Sequence, residues 1–205
     1  FEYIHPAMGV KFKIVLYAAN EKDAKLAIGK SVQVINRLDL LLSDYKSSSE
    51  IRRLCASAPH QQWQQVSPDL YRLLKLSRQI SRETDGAFDV TIGNVSRLWR
   101  QIRKKKKMPA VAKLKKTLST IGMDQIEFGK NCRIKLTKAE VRIDFGAIAK
   151  GYAADRVIQL LKEMGIKSAL IDASGDIVVS DAPPDAKGWR VEVFGIEKDK
   201  RHFVT

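Results

Sequence analysis

The hydrophobic period changes at Asn20, and that change constrains the fold more than any other feature. Upstream, "VKFKIVLYA" (residues 10–18) is rich in β-branched and aromatic residues. Lys11 and Lys13 alternate with Phe12 and Ile14, as a half-buried strand requires. Downstream, Ala24, Ala27, Ile28, Val32, Ile35 and Leu38 recur at three- and four-residue spacing. That is the stripe of a long amphipathic helix, ending near Leu42. Asn20 stands at the N-cap position, and Glu21 and Asp23 suit the positive end of the helix.

The same reading extends along the chain. "SDYKSSSEIRRL" (residues 43–54) reads as a polar loop. Ser67-Pro68-Asp69 opens a second helix with proline at its first position, ending near Thr84-Asp85-Gly86. "AFDVTIGNVSRLW" reads as a tight turn, a short extended piece and a helical turn, and "RQIRKKKKMP" as a basic loop or helix end. A helix is predicted over Val111 to Ile121. Short strands follow at Ile126 to Phe128, Arg133 to Leu136 and Val141 to Ile143. A helix over Ala147 to Met164 closes on Gly165. "SALIDASGDIVVSD" reads as strand, turn, strand, and Trp189 to Phe194 as another strand. Hairpin-like pairs beside long helices, without steady βαβα alternation, predict an α+β fold with a mixed or antiparallel sheet. The last residues, "KDKRHFVT", end inside a strand-like pattern that needs a neighbour, so a longer parent chain is expected.

Composition limits the function classes. Hydrophobic residues make up 44% and charged residues 29%, as in ordinary globular proteins. No stretch approaches the roughly 20 apolar residues of a membrane helix. The net charge of +14 favours anionic partners without choosing among them. Cys55 and Cys132 make neither a disulfide framework nor a zinc pattern, and read as small apolar side chains. The run Lys104 to Lys107 has only Trp99 near it, too little aromatic surface for nucleic acid, and reads as a solvated loop. His5, His60 and His202 show no ligand spacing.

The chemistry concentrates in four stretches. "IDFGAIAKGYAAD" (residues 143–155) puts Asp144, Gly146, Lys150 and Gly151 at a strand–helix junction. A helix N-terminus, slim glycines and a lysine in the first turn favour a phosphate, yet a plain helix start with Asp144 as cap reads equally well. "TDGAFDVTIG" (84–93) sets Asp85, Phe88 and Asp89 in a glycine-bounded turn. "DASGDI" (172–177) flanks Gly175 with two carboxylates. "HPAMGV" (5–10) offers Met8-Gly9, able to pack a flat ring or simply to turn the chain.

In series, "HPAMGV", "LSDYKSSSEIRRL", "TDGAFDVTIGNVSRLW", "IDFGAIAKGYAADRV", "LIDASGDIVV" and "WRVEVFG" resemble the ApbE family of FAD:protein FMN transferases, in the family's order and over nearly the whole chain. The resemblance implies a magnesium-dependent transferase that takes FAD, moves FMN to a threonine hydroxyl of an acceptor flavoprotein and releases AMP. FAD pyrophosphatase activity, and a non-catalytic FAD-binding module, are the alternatives. It further implies that Met8, Tyr45, Ala87, Phe88, Asp89, Asp144 and Lys150 bind FAD, and that Ala147 offers its backbone carbonyl to magnesium. Val10 stands where the family often has threonine, and Ser174 where it often has glycine.

The same resemblance implies one FAD-binding domain over residues 1–205, about the N-terminal two-thirds of the family's length, with a smaller helical, basic subdomain near 95–125. Further metal ligands and the catalytic groups are expected in a C-terminal segment beyond Thr205, and FAD binding without it is expected to be weak. The implied location is the periplasm or cell envelope, through a lipid anchor upstream, with a cytoplasmic location still open. Nucleic acid is not an expected partner.

Overall fold

The computed structural model describes the backbone of residues 1–194 and 201–204 and the side chains of residues 1–192. In chain order, β1 is Glu2–Ala7, β2 Val10–Leu16, α1 Glu21–Leu42, α2 Glu50–Ala56, β3 Gln64–Gln65 and α3 Pro68–Glu83. Then come α4 Gly93–Lys105, α5 Val111–Leu118, β4 Ile126–Phe128, β5 Arg133–Leu136 and α6 Ala149–Glu163. The last strands are β6 Ala169–Ala173, β7 Asp176–Val179, β8 Val191–Phe194 and β9 Arg201–Val204. The fold is α+β, and every strand pair among the described residues is antiparallel, apart from one isolated parallel bridge.

The chain divides into two compact units, Phe1–Asn36 with Lys150–Thr205, and Arg37–Ala149. The first unit holds a four-stranded sheet in the order β1-β2-β6-β7. Its period-2 pattern is visible in the burial: Phe12, Ile14 and Leu16 are fully buried, while the residues between them are half exposed. Asn20 caps α1 as expected, its Oδ1 accepting from the Asp23 N–H at 2.9 Å. Gly165, at φ +81°, ends α6 in the left-handed conformation. β8 pairs with β9, giving the terminal strand its neighbour.

The second unit is mainly helical, around a small sheet in the order β3-β5-β4. Three sequence expectations differ from what is observed, and Glu2–Ala7, which carried no expectation, is a full strand. The polar stretch after Tyr45 becomes helix from Glu50, because the Ser49 hydroxyl caps it, accepting from the Arg52 N–H at 3.2 Å. The helix after Gly93 runs through the first basic residues and stops at Lys106, which takes a left-handed φ of 49°. Residues 141–143 are not a ladder strand: only one parallel bridge, Ile92 to Arg142, is made. Val141 and Ile143 are buried, so the pattern marked burial correctly but not pairing.

Candidate functional site

In the second unit, Asp144 is fixed from both directions. Its N–H donates to the Val90 carbonyl at 2.8 Å, and the Gly93 N–H donates to the Arg142 carbonyl at 3.0 Å. The strand-like end of the junction therefore lies against the 84–93 turn. Asp144 Oδ1 accepts from the Gly146 N–H at 2.8 Å, an Asx turn. A side chain at Gly146 would begin 3.0 Å from that same oxygen, which is why glycine stands there. In the neighbouring turn, Asp89 Oδ1 accepts from the Thr91 N–H at 2.8 Å and its hydroxyl at 2.7 Å. Thr91 in turn accepts from the Gly122 N–H at 2.7 Å. Phe88 is half-buried and Ala87 exposed. Ala147 is exposed in the turn before α6.

One cation ties this ground together. Arg100 Nη2 lies 2.7 Å from Asp44 Oδ2 and 3.7 Å from Asp144 Oδ2. Its guanidinium stacks 4.5 Å from the centroid of the Tyr45 ring, whose residue is 78% exposed. Arg142 Nη2 donates to the Asp44 carbonyl at 3.0 Å. Burial depresses the Arg142 pKa, with the Arg52, Arg97 and Arg100 charges adding to it and Asp44 opposing. Two arginines thus converge on one buried aspartate, and one of them bridges to Tyr45 and Asp144.

In the first unit, the register sets a second group of candidates at one end of the sheet. Met8 and Gly9, at φ 50° and 75°, make the β1–β2 turn. Phe12 pairs with Ala173, so the Ser174-Gly175 turn of β6–β7 lies at that same end, and Ser174 Oγ donates to the Lys11 carbonyl at 3.2 Å. Lys150, in the first turn of α6, places Nζ 2.6 Å from Asp176 Oδ2. Asp172 Oδ1 accepts from the Gly175 N–H at 2.8 Å. A side chain at Gly151 would meet nothing within 4 Å, so the helix backbone beside Lys150 is open.

Residues 8–202 match the profile of the ApbE family. The chain belongs to the ApbE family. It is 26% identical over 165 residues to the FAD:protein FMN transferase of Haemophilus influenzae, covering 78% of this chain and 48% of that protein. It is also 26% identical over 191 residues to one from Klebsiella pneumoniae, covering 91% and 54%. The chain spans about half the length of the curated relatives it matches. Among solved structures, a mutant flavin transferase ApbE from Vibrio cholerae superposes with a TM-score of 0.89 at 22% identity, covering all of this chain and 69% of that one. The Pseudomonas stutzeri flavinyl transferase ApbE, apo form, gives 0.87 at 24%, covering 100% and 65%. These two likenesses are of fold.

Within this ApbE fold, the histidine with described contacts at both ring nitrogens is structural. The Leu136 N–H donates to His60 Nδ1 at 3.0 Å, so Nε2 carries the proton and faces the Leu54 carbonyl at 3.0 Å. Cys55 and Cys132 are unpaired, as expected. No cluster of three or more His, Cys, Asp or Glu able to hold a metal occurs among the described residues. What the sequence concealed is the trio Asp44, Arg100 and Arg142. Asp44 hides beside Tyr45 in a polar stretch, and Arg100 opens a basic run that reads as solvated surface. Their meeting depends on contacts 56 and 98 residues apart, which no local period reports.

Proposed function

We propose that this chain is the flavin-nucleotide-binding part of an FAD:protein FMN transferase. In the reaction, a threonine oxygen of an acceptor flavoprotein bonds to the phosphorus on the FMN side of FAD. The pyrophosphate bond breaks, AMP leaves, and the hydroxyl proton goes to a base. The observation that carries the reading is Lys150: a cation at a helix N-terminus, beside open backbone at Gly151, held by Asp176 at 2.6 Å. A helix N-terminus and a fixed ammonium neutralise phosphate oxygens, and phosphoryl transfer depends chiefly on such positioning and charge neutralisation. The name carried by the relatives supports the same reading.

The proposed FAD contacts are Met8, Tyr45, Ala87, Phe88, Asp89, Asp144 and Lys150. Met8 and the exposed Tyr45 ring offer soft and flat surface to a ring system. Asp89 and Asp144 are already oriented by their own turns. Magnesium, when bound, supplies further charge neutralisation at phosphate oxygens. It keeps waters and needs few protein ligands, so one exposed turn carbonyl at Ala147 is a fitting donor without a carboxylate cage. The location that accompanies this reading is the periplasm or cell envelope with membrane association, which fractionation of the native host tests.

Titration of FAD, with and without magnesium, tests the site. Asp144→Ala and Lys150→Ala are each expected to weaken FAD binding about tenfold, the loss of one charge-assisted contact. Equal affinity in wild type and both variants would sink the assignment. Mass spectrometry of a threonine-bearing acceptor then tests transfer: a mass gain of one FMN supports it, and AMP release with an unmodified acceptor refutes it in favour of hydrolysis.

A further inference from the structure

The second unit contains a cleft that no flavin reading uses. It has a volume of about 480 Å³ and lies among α2, α4, α5 and the 140–142 segment. Five cationic side chains line it, Arg52, Arg97, Lys113, Lys116 and Arg142, against the single carboxylate of Glu140. Among the described residues, Arg52, Arg97, Lys113 and Lys116 make no salt bridge. Arg142 is held in the wall with its side chain 14% exposed, and its buried Nε has no hydrogen-bond partner. A smaller cleft of about 380 Å³, which carries Asp44 and Tyr45, shares Arg52, Arg97 and Arg142 but not the two α5 lysines.

We propose that the larger cleft is a binding site for a small phosphate-bearing anion. Like charges gathered in one recess repel and raise the energy of the empty recess, and an anion relieves that repulsion while gaining charge-assisted hydrogen bonds. The guanidinium fork matches tetrahedral oxyanions, and ammonium groups add point charge. Burial first, then Arg52, Arg97 and Arg100 push the Arg142 pKa down against the opposing Asp44, the direction that repulsion in this recess gives. The Thr117 and Thr120 hydroxyls on the same wall already donate to the Lys113 and Thr117 carbonyls, so the cationic side chains carry the recognition. The volume is that of a small-ligand pocket, and a recess of this kind suits inorganic pyrophosphate or a mononucleotide better than an extended polymer.

Calorimetric titration of this chain with pyrophosphate, orthophosphate and AMP, at fixed ionic strength, tests the site. Saturable binding at one equivalent is expected, with pyrophosphate tighter than orthophosphate. AMP binding more tightly than pyrophosphate assigns the ligand to nucleotides, and the reverse order to inorganic phosphates. Lys113→Ala/Lys116→Ala, both on the exposed face of α5, is expected to weaken pyrophosphate at least about tenfold. FAD affinity should stay unchanged in that variant. Lys105→Ala/Lys107→Ala removes equal charge outside the cleft and should leave pyrophosphate binding intact. Equal losses in the two double variants would reduce the effect to net charge and overturn the proposal. So would a parallel loss of FAD affinity, or binding of a single-stranded oligonucleotide that pyrophosphate does not displace.

Discussion

Removal of the Arg100 charge tests the cluster that joins Tyr45, Asp44 and Asp144. Asp44 is a buried carboxylate, its side chain 5% exposed, with Arg100 Nη2 at 2.7 Å and Arg142 Nη2 at 4.0 Å. With an effective dielectric of about 20, the Arg100 attraction is roughly 6 kcal/mol and the Arg142 attraction roughly 4 kcal/mol. Loss of Arg100 also returns its own desolvation cost and relieves its repulsion with Arg142. Breaking a buried pair from one side costs about 3–5 kcal/mol. The surviving Arg142 brings the expectation for Arg100→Met down to about 2–3 kcal/mol. The cation–π contact on the exposed Tyr45 ring adds about 0.5 kcal/mol. Asp44→Asn should cost a similar amount, because it leaves two guanidiniums facing each other. Urea denaturation followed by far-ultraviolet circular dichroism on both singles and the double gives the coupling, expected near 2 kcal/mol. Additive losses, with coupling below about 0.5 kcal/mol, would show that Asp44 is held by Arg142 and backbone alone.

Two other perturbations follow from the same region. A Cβ at Gly93 would sit 2.6 Å from the Arg142 carbonyl oxygen and 2.9 Å from its carbon, so Gly93→Ala must push the 140–144 segment away. It should cost about 1–3 kcal/mol by thermal or urea melting, and wild-type stability would refute the close approach. Burial raises the Cys55 thiol pKa, and its smaller opposing contributions come from the Ile143 backbone, Arg52 and Arg142. A raised pKa stabilises the fold fully below the unfolded thiol value of about 8.5. That stabilisation is lost as pH climbs through the folded value. Wild type should therefore lose stability above about pH 8.5 faster than Cys55→Val, and identical alkaline slopes would count against a buried thiol.

Local chemistry made much of this architecture legible. Asn20, Ser67 and Gly165 each stop or start a helix where their side chains or backbone freedom demand it. The strands Ile126–Phe128 and Arg133–Leu136 match their patterns residue for residue. The two departures that concern strands share one cause. β1 alternates poorly, four of its six residues being exposed before Ala7, yet it pairs along its full length with β2. Its conformation is dictated by the partner, through the two-residue turn at Met8-Gly9. Residues 141–143 show the converse: a good apolar pattern, buried, with no strand partner in register to accept it. Periodicity reports which side chains are covered, and pairing is settled by whatever tertiary structure supplies an edge.

Lys150, at the start of α6, likewise owes its surroundings to tertiary structure. Spacing alone left the stretch around it as either a phosphate site or a plain helix start, and the structure gives Lys150 a partner, Asp176, on the β6–β7 turn. A lysine free in solvent must surrender up to about 2 kcal/mol of rotamer entropy to grip a ligand. Asp176 has already exacted that loss on folding. The pair is not sealed: Asp176 is 42% exposed and Lys150 27%, so water screens the attraction and the ion pair itself is worth little. In the proposed site a pyrophosphate, with one charge on each phosphate, and meeting the helix N-terminus as well, can therefore take over the ammonium or share it. The arrangement sets the cation in place without saturating it, which a plain helix cap at Asp144 would not have required.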